Sequence, residues 1–175
     1  MGEAYVVYRL GQLYLERGDY EESRAYLRRA MALGEAMDDK KLAAACTGEL
    51  GIIDHREKRF DQALARYRQA IGRLKGVGAR FDTAKFSVAQ ARLLYEQGEF
   101  EQAQTTVAEG IELAQKAGHG QILFEGQLLQ AKIVFAQGEA VAAGQQLQDL
   151  MATSTDEAKR AALNHELRKM DQGRL

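Results

Sequence analysis

Gly18-Asp19-Tyr20 returns as Lys58-Arg59-Phe60, as Gly98-Glu99-Phe100 and as Gly138-Glu139-Ala140, so the chain repeats itself four times with a step of 40 residues. A fixed step of this size means that one supersecondary unit stacks on copies of itself, each supplying its neighbour's core. The register extends beyond the turn. Three residues after Tyr20, Phe60, Phe100 and Ala140 stand Ser23, Ala63, Ala103 and Ala143, and seven further on stand Ala30, Ala70, Gly110 and Leu150. Upstream, Gly11, Gly51, Ala91 and Ala131 keep one slot small, and Leu13, Ile53, Leu93 and Ile133 keep another large. Close helix packing needs that alternation, because protein interiors tolerate few voids. Each copy therefore reads as a helical hairpin.

Composition agrees. Of 175 residues, 46% are apolar and 28% charged, and there is no proline to interrupt a helix. Strong helix formers fill nearly every segment. The best strand candidates, Tyr5-Val6-Val7-Tyr8 and Ile122-Leu123-Phe124, lie at register positions that read as helix in the sister copies. The register predicts first helices near 3–17, 40–57, 80–97 and 121–137, and second helices near 20–37, 60–77, 100–117 and 140–152. Gly18, Gly98 and Gly138 suit the left-handed backbone that ends a helix, as do Gly78 and Gly118; Asp38 and Lys58 stand at the equivalent places and should stop their helices less well. Ser154 and Glu157 have the spacing of a capping box opening a charged helix over 155–171. Its polar face, with Lys159, Arg160, Glu166, Arg168 and Lys169, fits a terminal cap. The expected architecture is all-α: a right-handed α-solenoid of about four antiparallel hairpins (1–39, 40–79, 80–119, 120–153) in one domain, closed by a capping helix over 154–172.

Leu10-Gly11, Tyr14, Gly18, Tyr20 and Ala30 resemble the tetratricopeptide signature, and Leu50-Gly51, Phe60, Ala63, Tyr67 and Ala70 match it more fully. The third copy keeps Ala91, Gly98, Phe100 and Ala103, and the fourth Ala131, Gly138 and Ala143. The usual repeat has about 34 residues and closes with proline. These copies are longer and proline-free, similar to long-helix variants in bacterial regulators and adaptors. The resemblance implies a concave groove lined by first helices that receives a peptide or a partner helix. Carried over by position, the groove holds Tyr5, Tyr8, Gln12, Leu15 and Glu16, then Gly48, Ile52, His55 and Arg56. The third copy adds Lys85, Val88, Arg92, Tyr95 and Glu96, and the fourth Glu125, Leu128, Lys132 and Phe135. A surface at once aromatic, aliphatic and basic suits a protein or peptide partner with apolar anchors and some negative charge. The family's grip on a C-terminal carboxylate through paired asparagines is not expected, since Asn164 is the one asparagine in the chain. For Tyr8, Tyr95 and Phe135 the competing expectation is packing against the next hairpin, and for Arg92 and Lys132 ordinary solvation.

Catalysis, cofactor and metal sites find no support in the pattern. His55, His119 and His165 have no i, i+4 partner, and Gly76-Val77-Gly78 and Gly118-His119-Gly120 lie at helix turns without a phosphate-gripping motif. The paired acids Glu21-Glu22, Asp38-Asp39 and Asp156-Glu157 sit at helix starts or turns, where the helix dipole favours them. Cys46 shares a register slot with Val6 and Phe86 and reads as a small buried hydrophobe. With a net charge of −1 and a pI near 6.3, nucleic acid is not an expected partner. Arg24, Arg28 and Arg29 with Arg66, Arg68 and Arg73 could form a stripe on the convex side, although interleaved acids point to a solvated face. The lone cysteine and the lack of a long apolar stretch lead us to expect a cytoplasmic protein that does not enter a membrane.

The first helix is apolar around most of its circumference, through Tyr5, Val6, Val7, Tyr8, Leu10, Leu13 and Tyr14. Two expectations follow: earlier repeats of a longer protein cover that face, or the chain pairs with itself there as a homodimer. The functional expectation is a non-catalytic interaction scaffold within a bacterial regulatory or signalling protein. The alternative is an inducer-sensing domain of a transcriptional regulator, with Tyr8, His55, Arg92 and Tyr95 around a small molecule.

Overall fold

The turn read from Gly18-Asp19 recurs every 20 residues. In all seven connections from Gly18 to Gly138, one residue adopts the left-handed conformation and the next N–H reaches back to a carbonyl five residues earlier. Asp19 N donates to Tyr14 O at 2.9 Å, Arg59 N to Asp54 O at 2.8 Å and Glu99 N to Leu94 O at 2.9 Å. This closure satisfies carbonyls that the helix end would leave orphaned. Asp38 and Lys58 make the same turn at φ 53° and 61°, so those helices stop where the glycine-ended ones do. Their side chains carry the steric cost of that backbone instead.

The computed structural model describes residues 2–173, so Met1, Arg174 and Leu175 lie outside it. Its helices are α1 (Gly2–Arg17), α2 (Tyr20–Ala36), α3 (Lys40–Arg56), α4 (Phe60–Gly76), α5 (Arg80–Glu96), α6 (Phe100–Lys116), α7 (Gly120–Ala136), α8 (Ala140–Thr153) and α9 (Glu157–Asp171). Among the described residues there is no strand, and no helix is long and apolar enough to cross a membrane.

Each first helix packs on its own second helix, and α3, α5 and α7 pack also on the second helix of the hairpin before them. Successive first helices also touch, α1 on α3, α3 on α5 and α5 on α7, whereas the second helices pack chiefly on first helices. Close approach on one side only makes a stack curve, with α1, α3, α5 and α7 inside. The small slots permit this. Ser23, Ala63, Ala103 and Ala143 are fully buried. A Cβ added at Gly11 would stand 2.8 Å from Leu27, and one at Gly51 would stand 3.0 Å from the Tyr67 ring. Gly48, carried over as a groove residue, is instead buried at a close approach of α3 and α5. A Cβ there would lie 2.4 Å from the Phe86 ring, which covers the position.

The large slot holds for Ile53, Leu93 and Ile133, all fully buried, but not for Leu13, which is 49% exposed beside Val6 at 60%. Among the described residues no hairpin packs on that side of α1 to cover them. At the other end, the expected capping box gives way to a different cap. The Asp156 carboxylate accepts from Ala158 N at 2.9 Å and Lys159 N at 3.2 Å, so α9 begins at Glu157 and Ser154 merely ends α8. Asp156 wins because it lies directly against the helix start. Leu163 of α9 is fully buried against Val134 and Leu147, and Lys159 lies 5.1 Å from the Phe124 ring centre. Glu166, expected on the polar outer face, is buried.

Candidate functional site

Three adjoining cavities run along the inside of the curve. The first, about 580 Å³, is lined by Tyr5, Tyr8, Gln12, Glu16, Phe81, Lys85, His119 and Glu125 among others. The second, also about 580 Å³, is lined by Ile52, His55, Arg56, Lys58, Phe60, Tyr67, Lys85, Val88, Ala89, Arg92, Glu96 and Glu125. The third, about 300 Å³, lies between Arg92, Tyr95, Glu96, Glu125, Leu128, Leu129 and Lys132. Lys85 and Glu125 are shared by the first two, and Arg92, Glu96 and Glu125 by the last two, so the three form one groove across α1, α3, α5 and α7. Of the residues placed in a groove from the sequence, Tyr5, Tyr8, Gln12, Ile52, His55, Arg56, Lys85, Arg92, Tyr95 and Lys132 line it. Phe135 does not: it packs against the apolar cluster around Val134, Leu147 and Leu163. Leu15 likewise packs against the apolar cluster that includes Val7, Leu27 and Ile53. The four residues suggested for an inducer do not share one cavity, since Tyr8 lines the first, His55 the second and Tyr95 the third.

The floor between the first two cavities is organised by Glu49, which the sequence reading missed. Its carboxylate is 1% exposed. Its Oε1 accepts from Tyr8 Oη at 2.9 Å, Gln12 Nε2 at 2.6 Å and Lys85 Nζ at 2.6 Å. Donors from α1 and α5 thus converge on a charge carried by α3. A buried carboxylate is tolerable only when so paired. Burial first, and Glu49 second, hold the Tyr8 phenol far above its ordinary pKa, so it stays a donor. Tyr5 donates to Asp39 Oδ2 at 2.9 Å, and that bond, more than burial, raises its pKa. The signal for Glu49 was in plain view: a single acid inside the otherwise apolar or small run Leu42–Gly51.

Many of the groove's charges are spoken for. His55 Nε2 lies 2.9 Å from Glu96 Oε2, and Lys132 Nζ lies 3.0 Å from Glu166 Oε1, which Lys169 also approaches at 3.6 Å. Lys132 therefore ties α7 to α9. Arg56 and Arg92 make no ion pair or hydrogen bond among the described residues, and both point a positive charge at the second cavity. Tyr95 packs on Phe100 with ring centres 5.9 Å apart, and burial raises its pKa. His119, placed in a loop from the sequence, caps α7 by accepting from Ile122 N at 3.3 Å and packs at a tilt on Phe81, with ring centres 4.6 Å apart.

Behind the groove, Asp54 is fully buried between the first two hairpins. Arg24 Nη2 at 3.0 Å and Arg59 Nη2 at 2.8 Å donate to one of its oxygens, and Arg66 Nε lies 2.6 Å from the other. Glu57 also pairs with Arg24 and Arg59. Arg24 and Arg66 are thus not part of a convex basic stripe, because Asp54 draws them inward; Arg28, Arg68 and Arg73 remain exposed.

The family described as the MalT-like TPR region matches residues 3–170. No curated protein matches the chain. Among solved structures, the chain resembles the apo form of RapI at a TM-score of 0.78 and 14% identity, over 91% of this chain and 45% of that one. It resembles the Rap conjugation gene regulator of the plasmid pLS20, in complex with the Phr* peptide, at a TM-score of 0.75 and 12% identity, over 98% and 49%. BtubC from P. vanneervenii aligns at a TM-score of 0.66 and 14% identity, over 97% and 63%. The chain therefore spans less than two thirds of each of these proteins, and at such identities the likeness is one of fold. With the family matched along nearly the whole stack and the repeat seen in its turns and packing, the chain belongs to the family of MalT-like TPR regions.

Proposed function

We propose that the chain is a non-catalytic interaction scaffold whose concave groove holds an extended peptide or a partner helix. The observation that carries this reading is the continuous groove itself. Its walls set aromatic and aliphatic side chains beside cations and the acids Glu96 and Glu125, and among the described residues Arg56 and Arg92 make no ion pair within it. Aromatic and arginine side chains are the ones most often found at binding hot spots. A partner with apolar anchors and negative charge complements such a surface. The complex of the pLS20 Rap regulator with the Phr* peptide supports a peptide-sized occupant for a stack of this fold. We place the chain within a larger cytoplasmic regulatory or signalling protein of a bacterium, to which it would lend a recognition surface.

The test uses peptides selected from a random 12-residue display library on the wild-type chain. Their affinity is then measured by fluorescence polarisation for the wild type and for Leu128→Trp, which plugs the third cavity without altering charge. The reading expects a loss of at least tenfold. Unchanged affinity for every selected peptide would refute it.

A further inference from the structure

Tyr67 carries a hydroxyl that its place in the fold does not need. The same register slot holds Leu27, Val107 and Leu147 in the other copies, so packing asks only for an apolar side chain. Tyr67 is fully buried, and its Oη has no hydrogen-bond partner among the described residues. Buried polar atoms are normally satisfied, and one that is not asks for an explanation. The ring forms part of the wall of the second cavity.

Arg56 and Arg92 line that cavity too. Their neighbours are engaged, His55 with Glu96 and Lys85 with Glu49, but these two guanidinium groups are not. They act on the phenol: burial and then Glu49 raise its pKa, while Arg92 and Arg56 pull it down. Two cationic forks therefore face the same space beside the Tyr67 ring, and among the described residues no acceptor engages either of them or the phenol.

We propose that Arg56, Arg92 and the Tyr67 hydroxyl form a carboxylate-binding subsite, filled by an acidic side chain of a peptide lying in the groove. That the carboxylate comes from a peptide rests on the function proposed above; the subsite's chemistry does not. A guanidinium presents paired N–H donors at the spacing of a carboxylate's two oxygens. Glu96 and Glu125 border the cavity, so a dianionic phosphate meets more repulsion there than a monoanionic carboxylate does. Ile52, Phe60 and Val88 offer apolar wall for the methylene stem of a glutamate.

The experiment observes the arginine Nε–H signals of the intact chain by NMR while N-acetyl-glutamate N-methylamide is added. The glutamine analogue, inorganic phosphate and glutarate are the comparison probes. The proposal expects saturable shifts of the Arg56 and Arg92 signals, with the glutamate probe at least tenfold tighter than its amide and tighter than phosphate. Arg92→Gln should abolish saturation. Tyr67→Phe should weaken the glutamate probe roughly tenfold, the worth of one hydrogen bond to a charged acceptor. The same variant should melt no lower than wild type, because the hydroxyl it removes has no partner. Equal shifts from the amide, preference for phosphate, or undiminished binding by Tyr67→Phe would overturn the subsite. Glutarate binding tenfold tighter than the glutamate probe would overturn the peptide as its occupant. Leu128→Trp separates the two readings: if the glutamate probe still saturates Arg56 and Arg92 while selected peptides ignore the plug, the subsite stands and the groove reading falls. If the plug expels peptides but the probe does not bind, the subsite falls alone.

Discussion

Replacing Asp54 by alanine should be among the most damaging single substitutions in the first half of the stack. Its carboxylate is fully buried and faces Arg24, Arg59 and Arg66 at 3.0, 2.8 and 2.6 Å. Removing it does not cost three ion pairs. Arg59 and Arg66 have side chains 38% and 32% exposed and can turn towards water, whereas Arg24, at 9%, is left as a buried cation with only Glu57 beside it. Stranding one partner of a buried pair costs about 3–5 kcal/mol. That is a large fraction of the 5–15 kcal/mol typical of a folded domain, and at about 2–4 °C per kcal/mol it lowers the melting temperature by roughly 6–20 °C. Urea unfolding followed by circular dichroism at 222 nm reads the change. The double variant Arg24→Met/Asp54→Leu should recover most of it, because no charge is then stranded. The difference between wild type and Asp54→Ala should persist in 1 M salt, since buried pairs are weakly screened. A cost below about 1 kcal/mol for Asp54→Ala, or a double variant no more stable than the single one, would refute the account of this network.

Three further predictions follow from the packing and the turns. Gly48→Ala pushes a methyl into the Phe86 ring and should cost about 1–3 kcal/mol, with part recovered by adding Phe86→Leu; thermal melts of the single and double variants check it. Lys58→Gly relieves a left-handed backbone at φ 61° and should stabilise the chain by about 0.5–1 kcal/mol after the entropy glycine adds to the unfolded state, read as a higher urea midpoint. Burial, with Glu49 second, pushes the Cys46 thiol from its ordinary 9.0 up to about 12. The stability it contributes is complete below pH 9 and drains away between pH 9 and 12, as the unfolded chain ionises first. By pH 11 the wild type should lose about 3 kcal/mol more than Cys46→Ala relative to pH 8, measured by urea unfolding.

The helix boundaries were legible because one turn geometry, recurring at fixed spacing, leaves little freedom in between. Tyr20, Phe60 and Phe100 each open a second helix, as the register requires. The groove was legible as a surface through the resemblance to the tetratricopeptide family, which implies that the first helices face inward. Which side chains in it are free was not legible. Tyr8 and Lys85 spend their polar ends on Glu49, and Lys132 on Glu166, across partners about one repeat away in sequence. Those pairings depend on how far neighbouring helices slide past each other, and no spacing within one helix encodes that. Gly48 failed as a groove residue for the same reason: the ring that buries it comes from the next copy. Tyr67 was visible as a repeat residue, but its unsatisfied hydroxyl emerges only once its surroundings are in place.

The most direct test of the central claim is a map of backbone amide shifts in the isotopically labelled chain as a selected peptide is titrated in. The account expects the changes to follow the inner curve, through Gln12, Ile52, Lys85, Arg92 and Leu128. Changes confined to the outer residues Arg28, Arg68 and Arg73, or to the exposed edge at Val6 and Leu13, would contradict it.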